Sequence, residues 1–257
     1  MNSNYIFFKT IQISNQLKHQ CDTLFYNCCT ADNLKHPCCF EDEFDFFPNC
    51  PRLYYATLEN KLLGFLSVYI IDDNSVEICM FIQPDNRQNH MGRQLLNNFL
   101  NDYNIANIEV SLHPDNLLGI HFLEKNNFVL TSTELLMSIS LDNFVLQNIN
   151  EKNIFLQKTR TDSSIQYQCF FDNQCIGSCN ISLFSDTYIF ISNVEISEQY
   201  QGMGLGYEFM LKVLQELTSS FQNALLHVSK ENIPAYRLYQ KLGFVINEST
   251  LIYTLHQ

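Results

Sequence analysis

The sequence predicts an α+β fold with a mixed sheet, present in two tandem copies. Three observations lead there: a long internal repeat, paired strand patterns joined by polar turns, and a glycine-bearing loop that opens an amphipathic helix in each copy. The repeat comes first, because a missed duplication misassigns every later element. The stretch "ENKLLGFLSVYIIDDNSVEICMFIQPDNRQNHMGRQLL", from Glu59, runs beside "DNQCIGSCNISLFSDTYIFISNVEISEQYQGMGLGYEFM", from Asp172, with Gly64 and Gly177 in their first strands. Arg87 falls opposite Gln201 and Gly92 opposite Gly206, each pair 114 residues apart. Downstream, Asn116 meets Asn232 and Phe128 meets Phe244 at a spacing of 116. Register that holds across strands, helices and a loop marks a duplication.

Each copy reads as β-β-β-loop-α-β-α-β. In the second copy, strands are expected over 164–174, 175–186 and 188–196, followed by a helix over 204–220 with apolar residues at helical spacing. A strand over 223–229, a helix over 233–242 and strands over 244–256 complete it. The first copy adds a helix over 13–29 ahead of its hairpin. The second has about 20 residues between the strand ending near 141 and its own hairpin, which leaves little room for helices. The expected division is a first domain over 1–141 and a second over 142–257.

A composition 46% hydrophobic and 16% charged supports a packed core over disorder. The net charge of −12 argues against nucleic acid as a partner, since phosphate backbones are bound by cationic surfaces. It steers amine-bearing, cationic molecules better. The start, "MNSNYIFFKTIQIS", lacks a basic head followed by an apolar core, and no apolar run approaches the ~18 residues of a membrane helix. The ten cysteines then read as reduced thiols, and a cytoplasmic location without a membrane partner is expected.

"QYQGMGLGYEF" follows a strand and opens a helix. A helix's first turn leaves backbone N–H groups without partners, and the macrodipole adds partial positive charge. Gly202, Gly204 and Gly206 remove the Cβ atoms that would keep a diphosphate from those groups. The lysine of a nucleoside-triphosphate loop is missing, and the preceding hairpin does not suit a dinucleotide fold.

The pattern Gln201-x-x-Gly204-x-Gly206, after "FISNVEI" and before "NIPAYRLYQKLGF", resembles the GNAT superfamily of acetyl-CoA-dependent N-acetyltransferases over nearly all of the second copy. The resemblance implies two tandem GNAT-like acyltransferase domains, each a mostly antiparallel sheet flanked by helices. It implies acetyl-CoA as co-substrate and no metal. Behind Gln201, the backbone of Gly202, Met203, Gly204, Leu205, Gly206 and Tyr207 would hold the CoA diphosphate. Val194, Glu195 and Ile196 would pair with the pantetheine arm as an added strand, with Asn232 touching it as well.

The chemistry follows from elementary acid–base considerations. An amine with a pKa of ~10.4 must lose a proton before attacking a thioester, and a thiolate leaves more easily when protonated. The developing oxyanion needs an N–H donor, which the resemblance places on the strand around Glu195. Tyr239 stands where the family commonly carries its general acid; as a bare residue it reads equally as a half-buried helix aromatic. His227 occupies a strand position where several relatives carry a base, and histidine titrates near neutrality. Glu195 is a second base candidate, and a water chain or no base at all are further alternatives.

The first copy resembles the superfamily more faintly. Arg87, Gly92 and Asn116 persist, but His90 replaces the glycine opposite Gly204, Leu123 faces Tyr239 and Asn127 replaces the glycine opposite Gly243. A Cβ and an imidazole then stand where a phosphate oxygen would approach, and leucine has no proton to give. A degenerate, non-catalytic domain is expected, which either walls the acceptor site or only covers a sheet.

Six cysteines (21, 28, 29, 38, 39 and 50) crowd the first 50 residues around His36 without paired C-x2-C spacing, so buried thiols are expected in place of a zinc site. "FEDEFDFF" (40–47) reads as a solvated amphipathic turn or helix whose acids attract a cation. The expected function is transfer of an acetyl group from acetyl-CoA to an amine of a small molecule or peptide, by direct attack in a ternary complex. The alternatives are a non-catalytic CoA-binding sensor or interaction module, or a transferase of a longer acyl group.

Overall fold

The computed structural model describes residues 5–35, 50–142, 144, 153–183, 185 and 187–257. The chain forms two compact units, Met1–Ser132 with Thr250–Gln257, and Thr133–Ser249.

In the first unit, β1 (Ile6–Thr10) leads to α1 (Asn15–Asp32), capped by Ser14, whose Oγ accepts from the Leu17 N–H at 3.2 Å. The strands β2 (Leu53–Leu58), β3 (Lys61–Asp72) and β4 (Ser75–Ile82) follow as an antiparallel meander with β1 on its outer side. Glu59 and Asn60, both at positive φ, make the two-residue turn that matches strand twist. Then come α2 (Met91–Asp102), β5 (Asn107–Leu112), α3 (Leu117–Lys125) and β6 (Val129–Ser140). Alternation along β4 and β5 buries Val76, Ile78, Ile108 and Val110 with Leu95, Leu96 and Phe99 of α2 in one core. On the other side, Cys21, Leu24 and Cys28 of α1 pack with Phe65, Cys79 and Phe81.

The second unit repeats the plan: β7 (Ile154–Arg160), β8 (Ser164–Phe171), β9 (Gln174–Leu183), β10 (Tyr188–Ile196), α4 (Leu205–Leu217), β11 (Asn223–Ser229), α5 (Ile233–Leu242) and β12 (Val245–His256). Asp172 and Asn173 make the matching turn at positive φ. Thr161–Ser163 alone link β7 to β8, so no helix separates them, whereas α1 precedes β2 in the first unit. The core gathers Ile181, Ile189, Ile191, Ala224 and Leu226 with Phe209, Val213 and Leu214 of α4.

Two features depart from the expectation. β1 and β7 extend each sheet by one strand beyond the expected set; each runs along an outer edge with little apolar alternation. More consequentially, the last strand of each repeat serves the other unit. Residues 134–140 of β6 pair antiparallel with β11, and residues 251–256 of β12 pair antiparallel with β5. The expected 244–256 region is thus one long strand whose end belongs to the first unit, and compactness divides the chain differently from the repeat boundary at 141. Periodicity fixes that a segment is a strand, but its partner is chosen by tertiary packing.

Candidate functional site

In the second unit, β10 and β11 run parallel and are bonded only from Tyr188–Ile191 against Asn223–Leu226. Beyond Ile191 they part, and residues 192–196 turn an unpaired edge toward the opening. On its other side β10 stays bonded to β9, but the register shifts between Ser192 and Glu195, with Asn193 at φ 50°. This is a β-bulge, which bends a strand and re-aims its side chains. Gly177 makes it possible: a Cβ there would collide with the Glu195 carbonyl.

Sheet parity sorts the proposed catalytic residues. Glu195 lies across from Ser178, whose hydroxyl donates to Glu195 Oε1 at 2.9 Å. Ser192 and Phe190 share that face, and the His227 imidazole lies 5.4 Å from the Phe190 ring. Glu195 and His227 are therefore exposed on one face, the one without a helix between β7 and β8. Tyr239, on α5, is 5% exposed in the core beneath the opposite face, edge-on to Phe244 with ring centroids at 5.7 Å. Burial, with a smaller contribution from the charge of nearby Cys179, pushes its hydroxyl up to about 12. It is therefore protonated at neutral pH, as an acid must be before it gives its proton.

The glycine loop stands at the mouth of the opening. A 3-10 turn over Glu198–Tyr200 ends at Gln201, whose Nε2 donates to the Ile196 carbonyl at 2.8 Å and staples loop to strand. Gly202 and Gly204 have φ 74° and 76°, and Gly204 caps α4 in the left-handed region. Met203 is half exposed, Leu205 is buried as an anchor, and Gly206 lies against Ile196 and Leu238. Tyr207 lies under the Lys241 ammonium, 4.1 Å from the ring centroid. Val194 and Ile196 pack against the core. Asn232 has a structural job the sequence did not announce: its Oδ1 caps α5 by accepting from the Ala235 N–H at 3.3 Å.

Cys169 and Cys179 are buried, and burial pushes their thiols up to about 11 and 12. Neither offers the thiolate that covalent catalysis requires. Among the described residues, no three His, Cys, Asp or Glu side chains gather as metal ligands, and no helix is long and apolar enough to cross a membrane. His36, Cys38, Cys39 and the 40–47 segment lie outside the described residues.

The first unit holds the same arrangement without the bulge. β4 and β5 are bonded only over Ser75–Glu77 and Asn107–Glu109 before parting, while β4 stays in continuous register with β3 from Val76 to Ile82. Arg87 Nε donates to the Ile82 carbonyl at 3.2 Å, the counterpart of the Gln201 staple, and its guanidinium grips Asp32 of α1 with two bonds. Gln88 and His90 adopt φ 64° and 60°, close to those of Gly202 and Gly204. A cavity of about 620 Å³ occupies the parting.

A mixed sheet that parts in its middle, with a helix starting at the mouth, defines an α+β fold with an open cleft, here present twice. A family model described as "Acetyltransferase (GNAT) family" matches residues 19–128 and 134–244, and the chain belongs to this family. Over 61 residues it is 34% identical to a spermine/spermidine N(1)-acetyltransferase of Bacillus subtilis (strain 168), a match spanning 23% of this chain and 40% of that protein. In fold it is similar to a GCN5-related N-acetyltransferase from Sphaerobacter thermophilus (TM-score 0.71, 10% identity, 98% of this chain and 95% of that one). It is also similar to a tandem GNAT protein from the clavulanic acid biosynthesis pathway (TM-score 0.65, 11% identity, 98% of each chain).

Proposed function

We propose that the second unit transfers an acetyl group from acetyl-CoA to an amine, by direct attack in a ternary complex. The observation that carries this reading is the parting of β10 and β11, with Glu195 and His227 on one face and Tyr239 beneath the other. A thioester lying in the parting has base candidates on the side where an amine can enter and an acid on the side where sulfur leaves. The fit is supported by the unpaired edge over 192–196, which offers amide partners to an extended arm. It is also supported by the left-handed glycines, which leave the start of α4 open to a diphosphate; a Cβ on Gly202 would meet nothing within 4 Å.

In this scheme Glu195 or His227 takes the proton that an ammonium must lose. The amine nitrogen bonds to the carbonyl carbon, and the backbone of the bulge offers an N–H to the oxyanion. As the carbon–sulfur bond breaks, the nitrogen releases its second proton to solvent, while Tyr239 supplies the proton to sulfur and is reprotonated from solvent. The first unit, with Leu123 in place of the tyrosine, is the non-catalytic partner. The acceptor is an amine of a small molecule or peptide, and the name of the Bacillus subtilis relative puts polyamines first among candidates.

The test is to incubate the protein with acetyl-CoA and a panel of polyamines, amino sugars and amino-terminal peptides, and weigh the products by mass spectrometry. A product heavier by one acetyl group, lost on Tyr239→Phe, is expected. Binding of acetyl-CoA with no product from any amine would favour the sensor reading.

A further inference from the structure

The cleft of the first unit is open although two of its three proton-moving positions are apolar. Aligned through the sheet register, Phe81 stands where Glu195 stands, Ser111 where His227 stands, and Leu123 where Tyr239 stands. Met80 lies opposite the position of the bulge. The proton-moving positions have thus become mostly apolar, yet the strands still part and about 620 Å³ lies between them, within the ordinary range for small-molecule sites. Its apolar wall includes Ile78, Met80, Ile82, Val110, Phe122 and Leu123, with polar side chains such as Ser111, Asn116 and Asn126 beside them. The open cleft leaves these apolar side chains for a ligand to cover.

The mouth carries the opposite character. Arg93 and Lys125 are exposed cations on its lining, at the start of α2 and the end of α3, and the exposed His90 imidazole stands beside Arg93. The one carboxylate in the lining, Asp32, is held by Arg87. In a chain of net charge −12, a local excess of positive charge marks an anion's place. The imidazole of His90 crowds the loop against a diphosphate, but a compact single-headed anion needs less room there.

We propose that the first unit is a binding site for a fatty carboxylate, its chain between β4 and β5 and its head at His90 and Arg93. Such a ligand is bound and not transformed, since Leu123 has no proton to give. The site stands whether or not the second unit transfers acetyl groups.

The experiment is calorimetric titration of the full chain with dodecanoate below its micellar concentration, alongside dodecanol, CoA and dodecanoyl-CoA. One dodecanoate per chain is expected, with dodecanol much weaker and saturating CoA leaving the dodecanoate isotherm unchanged. Arg93→Glu, an exposed change, should weaken dodecanoate about tenfold. Gly92→Leu should abolish binding, because a Cβ there already meets Phe122 and Met80 at 3.3 and 3.5 Å and a larger side chain enters the cleft. Its melting curve shows whether it folds, and Arg93→Glu carries the test if it does not. Absence of dodecanoate binding, equal binding of dodecanol, competition by CoA, or an isotherm abolished by Gly204→His instead of Gly92→Leu would each overturn the proposal. So would binding of dodecanoyl-CoA in the first unit with dodecanoate ignored.

Discussion

The loops at 86–92 and 200–206 have nearly the same backbone and very different side chains. Each begins with a 3-10 turn, is stapled by one side-chain N–H to the carbonyl that ends its strand, and passes twice through the left-handed region. In the second unit glycines occupy those left-handed positions; in the first, Gln88 and His90 do. Asn127 likewise sits at φ 64° where Gly243 sits at 98°. Loop shape therefore survives loss of the glycines, held by the staple and by the helix that follows. What the substitutions change is what can come close to the backbone, not where the backbone goes.

The comparison can be broken first at the acid. Tyr239→Phe should lower turnover by about 10²- to 10⁴-fold with acetyl-CoA affinity nearly intact, the signature of a group that acts in the transition state. Loss of affinity at unchanged kcat would remove the acid role. Next in size, Gly204→His should fold, since His90 shows that histidine accepts these torsions. It should nonetheless weaken CoA binding about tenfold or more, read by calorimetry, because an imidazole then stands at the mouth. Unchanged affinity would mean that His90 is no lesion.

The reverse exchange, His90→Gly, removes a left-handed non-glycine residue and should stabilise the protein by about 0.5–1 kcal/mol, measured by denaturant midpoint. A loss of stability would show that the imidazole makes compensating contacts. The smallest effect concerns pH. Tyr239 titrates near 10 in the unfolded chain and at about 12 when folded, so its contribution is complete below pH 10 and lost as pH rises toward 12. The melting temperature should fall over that window, and less steeply in Tyr239→Phe.

Much of this was legible in the residues. The strands at 188–196 and 223–229 and the helix at 233–242 coincide with their expected bounds, because alternation and helical spacing agree there. The bulge left a faint trace: Gly64 and Gly177 are 113 apart and Arg87 and Gln201 are 114, so one residue is inserted between them. The parting of β10 from β11 left none, since a strand reads the same whether or not its edge is bonded. Nor could a list of replacements at His90 and Leu123 reveal that the first cleft remains open, because volume depends on backbone positions that substitution did not move.

The exchanged final strands bear on how the chain is made. Translation delivers the first repeat whole, yet β5 acquires its β12 partner only when residues 251–256 emerge. Until then the nascent first unit presents an open backbone edge, an invitation to wrong pairing that grows with dwell time. β6, by contrast, is ready early and waits as a template for β11. Synthesis order makes the β6–β11 pairing available before the β5–β12 one, and a chain cut at residue 141 would yield one half lacking a strand that β5 pairs with and carrying one that pairs in the other unit.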